Sequence, residues 1–74
     1  MEDLLGNIVR DFRRKELLLS QREFAEKVGI SKPTLISVEK GHRIPSLETY
    51  KKLSKVMGIP VKELMELKTK EEKR

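Results

Sequence analysis

The chain has 74 residues, enough for one small domain with little surplus, and it contains no cysteine, which excludes disulfides and thiolate metal sites. No apolar run approaches the ~20 residues that span a bilayer, and the N-terminus lacks the layout of a signal peptide, so we expect a cytoplasmic protein. A net charge of +5 and a pI near 9.7 favour a polyanionic partner, although charge alone also fits RNA or an acidic membrane.

A first helix is predicted from about residue 3 to 16, because apolar residues recur along one side of it. The residues on that side are Leu5, Ile8, Val9 and Phe12. The basic residues between positions 10 and 15 fall largely on the other side, which is either a solvated face or a surface near phosphates. Leu17-Leu18-Leu19 follows, and we expect it to pack in the core at the corner before the next helix.

The segment 20–41 contains two short helical patterns separated by a glycine-containing break. Ser20 is predicted to cap a second helix over about 21–28, and Glu23 stands three residues further on, as a capping box requires. Gly29 lies where a left-handed residue is needed to end this helix.

Ser31 restarts the chain as the cap of a third helix over about 32–39. Pro33 falls in the first turn of this helix, where its missing N–H does no harm, and Gly41 ends it. Two short helices joined by a tight turn form a helix-turn-helix, which is a DNA-reading unit.

Two further helices are predicted after a loop over residues 40–45. Ser46 caps the fourth, whose apolar side consists of Leu47, Tyr50, Leu53 and Met57. After a Gly58-Ile59-Pro60 break, the fifth is lined by Val61, Leu64, Met65 and Leu67. The sequence therefore predicts an all-α domain of five short helices over residues 1–67, followed by a charged, frayed tail over 68–74.

These residues together resemble the lambda-repressor-like (Cro-type, XRE) helix-turn-helix family, over about Gly6 to Met65. The matching positions are Ser20-Gln21, Ala25, Gly29, Leu35, Val38-Glu39, Gly41, Pro45-Ser46-Leu47 and Met57-Gly58-Ile59. The resemblance implies a lambda-repressor-like domain in which helices 2 and 3 form the motif and helix 3 enters the major groove of DNA.

The resemblance also implies a set of DNA contacts. We expect Lys32, Thr34 and Ser37 to meet base edges, and Gln21 to clamp a phosphate together with the free N–H groups of helix 2. The complete predicted set of DNA-binding residues is Gln21, Arg22, Ser31, Lys32, Pro33, Thr34, Ser37, Lys40, His42 and Arg43. The last three are expected to contact phosphates.

Glu39 suggests a structural ion pair, because a Glu at this place in the family is often bonded to an Arg of helix 1. Counting back from Ser20 without gaps selects Arg14. The apolar phase of Val9 and Phe12 instead indicates one extra residue before Ser20, which selects Arg13. We favour Arg13.

The chain departs from the family pattern in three places. Leu17-Leu18 stands where a glycine commonly ends helix 1, and Pro33 replaces a residue that often hydrogen-bonds. Ile36 is apolar where the family is usually polar. Three roles are open for Ile36: contact with a thymine methyl, contact with a neighbouring chain, or simple exposure.

Helix 5 indicates a partner for the domain. Packing Val61 and Leu64 inward leaves Ile59, Met65 and Leu67 partly exposed, so we predict a homodimer through this helix. A dimer doubles a small DNA contact onto two half-sites. No membrane, cofactor, metal ion or small-molecule ligand is expected as a further partner.

The sequence thus predicts a sequence-specific regulator of transcription at the nucleoid, and we expect a repressor that binds a pseudo-palindromic operator as a dimer. A phage-type repressor, a restriction-modification controller and an antitoxin-like autoregulator all fit. The alternative is a helical adaptor that keeps the fold and binds protein. An enzyme is disfavoured, because helix capping and ion pairing explain the serines and Glu39.

Overall fold

A computed structural model of the chain describes residues 4–67. The elements are α1 (Leu4–Asp11), a π-helical turn (Phe12–Glu16), α2 (Gln21–Val28), α3 (Lys32–Lys40), α4 (Leu47–Met57) and α5 (Val61–Glu66). The described part contains five α-helices and no strand, which confirms the predicted fold class. The tail predicted over 68–74 lies outside the described residues.

Serine caps set the starts of α2, α3 and α4. The side chains of Ser20, Ser31 and Ser46 each accept a hydrogen bond from the backbone N–H three residues later, at 3.1, 3.2 and 3.2 Å. Glu23 completes the capping box, since its carboxylate accepts from the Ser20 N–H at 2.9 Å. Each such cap stabilises a helix by about 1 kcal/mol, and all three were predicted from the sequence.

The turn between α2 and α3 depends on Gly29, whose φ of 91° lies in the left-handed region. No heavy atom lies within 4 Å of a Cβ built there, so the backbone conformation rather than space requires glycine. Lys52 of α4 donates from Nζ to the Gly29 carbonyl at 3.1 Å and so ties the turn to the rest of the domain.

The core takes one fully buried large side chain from each α-helix. These residues are Leu5, Phe24, Leu35, Leu53 and Leu64. α1 and α2 both pack against α3, α2 also packs against α4, and α4 packs against α5. α3 is therefore held on one side by two helices, and its other side is left uncovered by the described elements.

Two residues expected in the core are exposed because they lie to one side of the buried face of their helix. Leu47 is 54% exposed, since the buried face of α4 is centred on Tyr50 and Leu53, about 90° away at 100° per residue. Ile8 is exposed for the same reason, because the buried face of α1 is centred near Leu5 and Val9.

The first helix ends differently from the uninterrupted helix predicted to residue 16. Within the π-helical turn the Leu17 N–H donates to the carbonyl of Phe12, five residues back, at 3.2 Å. Such a turn holds about one residue more than an α-helical turn. This is the extra residue that the phase of the apolar pattern indicated.

Leu18 follows the π-helical turn and is 80% exposed, so its predicted place in the core was wrong. Its φ of 56° turns the chain sharply, and this conformation directs its side chain away while Leu17 and Leu19 pack against the core. Among the helices of residues 4–67, none combines the length and apolar character needed to cross a membrane.

Candidate nucleic-acid interface

α3 has one side in the core and one side facing outward. Leu35, Val38 and Glu39 are buried. The outward residues are Lys32, Pro33 and Lys40, which are exposed, and Thr34, Ile36 and Ser37, which are half-buried. This outward side carries no acidic residue, so it suits an anionic partner.

An open groove of about 540 Å³ runs between α3 and the segment that leads into α4. Its walls bring together Thr34 and Ser37 of α3 with Arg43 of the following loop. Pro33 lines it as well, so four of the predicted DNA-binding residues share one surface. Ile44 and Thr49 also line this groove, although no role in binding was predicted for either of them.

A second open groove, of about 410 Å³, lies on the side of α3 toward α2. Arg22, Ser31 and Lys32 line it, so three more predicted residues come together there. Arg22 is exposed, and its ion pair with Glu26 spans 3.9 Å. A surface pair of this kind contributes at most about 1 kcal/mol, so the Arg22 guanidinium can exchange it for a phosphate.

The first turn of α3 is fixed by a short hydrogen-bond relay. The Ser31 hydroxyl accepts from the Thr34 N–H at 3.2 Å, and it donates to the Thr34 hydroxyl oxygen at 2.8 Å. Pro33, next to these residues, has no N–H and restricts the backbone further. The Thr34 hydroxyl is therefore placed before any ligand arrives.

The opposite side of α3 is anchored through the buried carboxylate of Glu39, which is 4% exposed. Arg13 donates from Nε to Oε2 at 2.7 Å and from Nη2 to Oε1 at 3.1 Å. Its third nitrogen, Nη1, donates to the Leu19 carbonyl at 3.0 Å. The preference for Arg13 over Arg14 is confirmed, and the π-helical turn that contains Arg13 supplies the extra residue.

Gln21 joins the same cluster, because its Nε2 donates to Glu39 Oε1 at 3.1 Å. One amide N–H is thus already used within the protein. The other N–H, together with the backbone N–H groups of Gln21 and Arg22, stays available for the predicted phosphate contact.

Arg10 is an anchor that the sequence analysis missed. Its Nη2 donates to Asn7 Oδ1 at 3.0 Å and to the Glu39 carbonyl at 3.4 Å, near the C-terminus of α3. A cation there interacts favourably with the negative end of the helix dipole. The spacing could have indicated this role, since Arg10 precedes Arg13 by three residues and so lies on the same side of the helix.

Lys40 and His42 are both exposed beyond the buried part of α3. The His42 N–H donates to the Ser37 carbonyl at 3.0 Å, so the loop leaves the helix in a defined direction. Neither side chain lines the two grooves. Their predicted phosphate contacts therefore lie at the edge of the surface.

The sequence and the fold of this chain match known proteins. A family model described as helix-turn-helix aligns with residues 10–64, which is more than half of the chain. The chain belongs to this helix-turn-helix family. The solved N-terminal DNA binding domain of SinR from Bacillus subtilis superimposes with a TM-score of 0.73 at 33% identity, covering 88% of this chain and 94% of that one.

Two curated relatives of this helix-turn-helix protein are similar over most of its length. The cryptic phage CTXphi transcriptional repressor RstR of Vibrio cholerae is 44% identical over 62 residues, which are 84% of this chain and 55% of RstR. An uncharacterized HTH-type transcriptional regulator of Methanothermobacter thermautotrophicus is 44% identical over 54 residues, covering 73% of this chain and 77% of that protein.

Proposed function

We propose that the chain represses transcription by binding as a homodimer to a pseudo-palindromic operator, with α3 in the major groove. Its membership of the helix-turn-helix family makes it a DNA-binding transcriptional regulator. The observation that carries the proposal is the outward side of α3, which is basic and free of acidic residues while its inner side is fixed through Glu39. Similarity to a phage transcriptional repressor supports repression rather than activation.

In this proposal one group of side chains contacts the bases, and a second group contacts the phosphates or positions the helix. Lys32, Thr34 and Ser37 meet base edges, which carry the sequence information. The residues that contact phosphates or position the helix against them are Gln21, Arg22, Ser31, Pro33, Lys40, His42 and Arg43. Bound at a promoter in the cytoplasm, the protein would exclude the transcription machinery by occupying the DNA.

The proposed dimer forms through α5. Met65 is 48% exposed on this helix, while Ile59 and Leu67 pack partly against the core and leave only part of each side chain for a partner. A two-fold dimer places the two copies of α3 about 34 Å apart, which is one turn of DNA. It also doubles a DNA contact that is small for one domain.

A helical adaptor that binds protein is the second candidate. Ile44 and Leu47 are exposed apolar residues next to the larger groove, and such residues are common in protein contacts. Their neighbour Arg43 and the basic side of α3 favour DNA instead. The two functions differ in their response to salt.

The deciding experiment measures binding to random duplex DNA as the salt concentration rises. A DNA reader loses affinity linearly on a log–log scale, because bound phosphates release their counterions. Lys40→Gln and Arg43→Gln should each lower the slope by about one. Lys55→Gln, which removes an exposed lysine from the end of α4, serves as the control and should leave it unchanged. Undetectable binding at low salt would favour the adaptor.

A further inference from the structure

The outward side of α3 offers hydrogen-bond donors but almost no acceptors. Its polar side chains are Lys32, Thr34, Ser37 and Lys40, and it has no Asn, Gln, Asp or Glu. A lysine ammonium has three donors and no acceptor. Adenine is read best by an amide that both donates and accepts, and cytosine by a carboxylate that accepts, so this surface has neither reader.

The Thr34 hydroxyl keeps its own hydrogen to donate, while one of its two acceptor positions is already occupied. The Ser31 hydroxyl donates to Thr34 Oγ1 at 2.8 Å. Within residues 4–67, no acceptor takes the proton of Thr34 itself. The hydrogen of this hydroxyl is therefore free to meet an acceptor on a base.

Lys32 lies near Thr34 in the first turn of α3, and its ammonium group is available to bind a base. It is exposed and forms no ion pair with any residue between 4 and 67. Arg22 lines the same groove, and the N-terminus of α3 adds the positive end of its dipole. These three positive groups repel the amino groups of adenine and cytosine and attract ring or carbonyl acceptors. Glu26 also lines this groove, where it faces the Arg22 guanidinium at 3.9 Å.

Guanine is the base that best complements such a surface. It presents two adjacent acceptors, N7 and O6, in the major groove. In adenine N7 lies beside an amino donor, in thymine O4 lies beside a methyl group, and cytosine presents an amino donor. Only guanine accepts two donors from one ammonium group.

We infer that the N-terminal half of α3 reads a guanine in each half-site, with Lys32 Nζ donating to its O6 and N7 and the Thr34 hydroxyl donating to an adjacent acceptor. The inference rests on the proposed function, because it requires α3 to enter the major groove. Beyond that function, the inference names guanine as the base that is recognised. The hydrogen-bond donors of Lys32 and Thr34 would distinguish guanine from the other bases.

The test first selects bound sequences from random duplexes about two helical turns long with the full chain. One guanine should be fixed in each half-site. Replacing that guanine by 7-deazaguanine removes N7 and should weaken binding by about tenfold. In Lys32→Met the same replacement should change affinity by less than about twofold, since the ammonium group that donates to N7 is already absent.

Two further variants separate base reading from general effects. Lys40→Met removes a predicted phosphate contact and should keep the full penalty for 7-deazaguanine, although its overall affinity falls. Thr34→Val should relax the preference at the base next to the guanine. Lys32 and Lys40 are exposed, so circular dichroism should show unchanged helix content in both lysine variants.

The possible outcomes distinguish failure of the guanine inference from failure of the proposed DNA-binding function. A selected site without a fixed guanine, or a 7-deazaguanine penalty that persists in Lys32→Met, overturns the inference and leaves DNA binding intact. Failure to bind any duplex in the pool at low salt overturns the proposed function itself.

Discussion

Leu18 is strained at a position that contributes no packing. It is the one non-glycine residue between 4 and 67 with a positive φ, at 56°, and its side chain is 80% exposed. For an L-residue with a Cβ this conformation costs about 1–2 kcal/mol. A glycine, which the family resemblance led us to expect where helix 1 ends, adopts this conformation without that cost.

Leu18→Gly should therefore stabilise the protein by about 0.5–1 kcal/mol, after subtracting the larger unfolded-state entropy of glycine. Urea unfolding measures the change. Leu18→Ala is the matched control, because it removes the exposed side chain but keeps the Cβ that causes the strain. If the alanine variant were the more stable of the two, strain at this position would not be the cause.

Arg13 and Arg14 are adjacent arginines with very different surroundings. Arg13 is 8% exposed and holds Glu39 with two hydrogen bonds, whereas Arg14 is exposed. Arg13→Met leaves a buried carboxylate with Gln21 as its remaining side-chain partner. Removing one member of a buried pair typically costs about 3 kcal/mol.

We accordingly expect Arg13→Met to lower the free energy of unfolding by about 3 kcal/mol, measured by chemical denaturation. The matched substitution Arg14→Met should change it by less than about 0.5 kcal/mol, as is usual on the surface. Equal effects of the two substitutions would mean that the Arg13–Glu39 pair contributes no net stability.

At the scale of elements, the π-helical turn accommodates one extra residue between α1 and α2. The core residues of α1 fix the rotation of the first helix about its axis. Relative to that rotation, the chain has one residue more before the start of α2 than an unbroken α-helix would accommodate. The turn at Phe12–Glu16 absorbs the difference and leaves Arg13 facing Glu39. Deleting one residue after Arg13 should convert this turn to a regular α-helical turn.

Deletion of Lys15, an exposed residue of the π-helical turn, should therefore be tolerated with little loss of thermal stability. Deletion of Asp11 is the control. It removes an equally exposed residue but rotates Leu5 and Val9 by about 100° relative to Arg13, which takes them out of the core. We expect a large loss of melting temperature for the Asp11 deletion alone. Comparable losses would show that the extra residue is required.

The helix boundaries could be predicted because local chemistry sets them. The caps of three helices are hydrogen bonds between residues only three positions apart, and they involve Ser20, Ser31 and Ser46. Gly29 ends α2 because its backbone can adopt the left-handed conformation. The π-helical turn could be indicated only indirectly, by phase, because packing between distant elements decides where a helix accommodates an extra residue.

At the scale of the whole molecule, oligomeric state rests on α5. Met65→Asp places a charge on the exposed apolar side of this helix, so it should weaken the proposed dimer by at least tenfold. Analytical ultracentrifugation at about tens of micromolar checks this. Leu47→Asp puts the same charge on an exposed apolar residue of α4 and should leave association unchanged. A wild-type protein that stays monomeric there would contradict the dimer.

The outward placement of residues on α3 could be predicted from the sequence, but their bonding could not. Helical phase places Lys32, Thr34 and Ser37 outward whatever the neighbours are. The bond from Ser31 to Thr34 and the bond from Gln21 to Glu39 depend on side-chain rotamers and on the crossing of α2 with α3. Those features decide which hydrogen-bonding atoms are free for DNA, and they follow from the folded structure alone.

The shared carboxylate of Glu39 has a consequence for the DNA. Because its Oε1 accepts from both Arg13 and Gln21, the start of α2 and the end of α3 cannot shift independently. In the proposed complex the two elements would therefore meet phosphates and bases at a fixed separation. We expect the double helix rather than the protein to adjust to this spacing, so base steps that deform easily should gain affinity even where no side chain touches them.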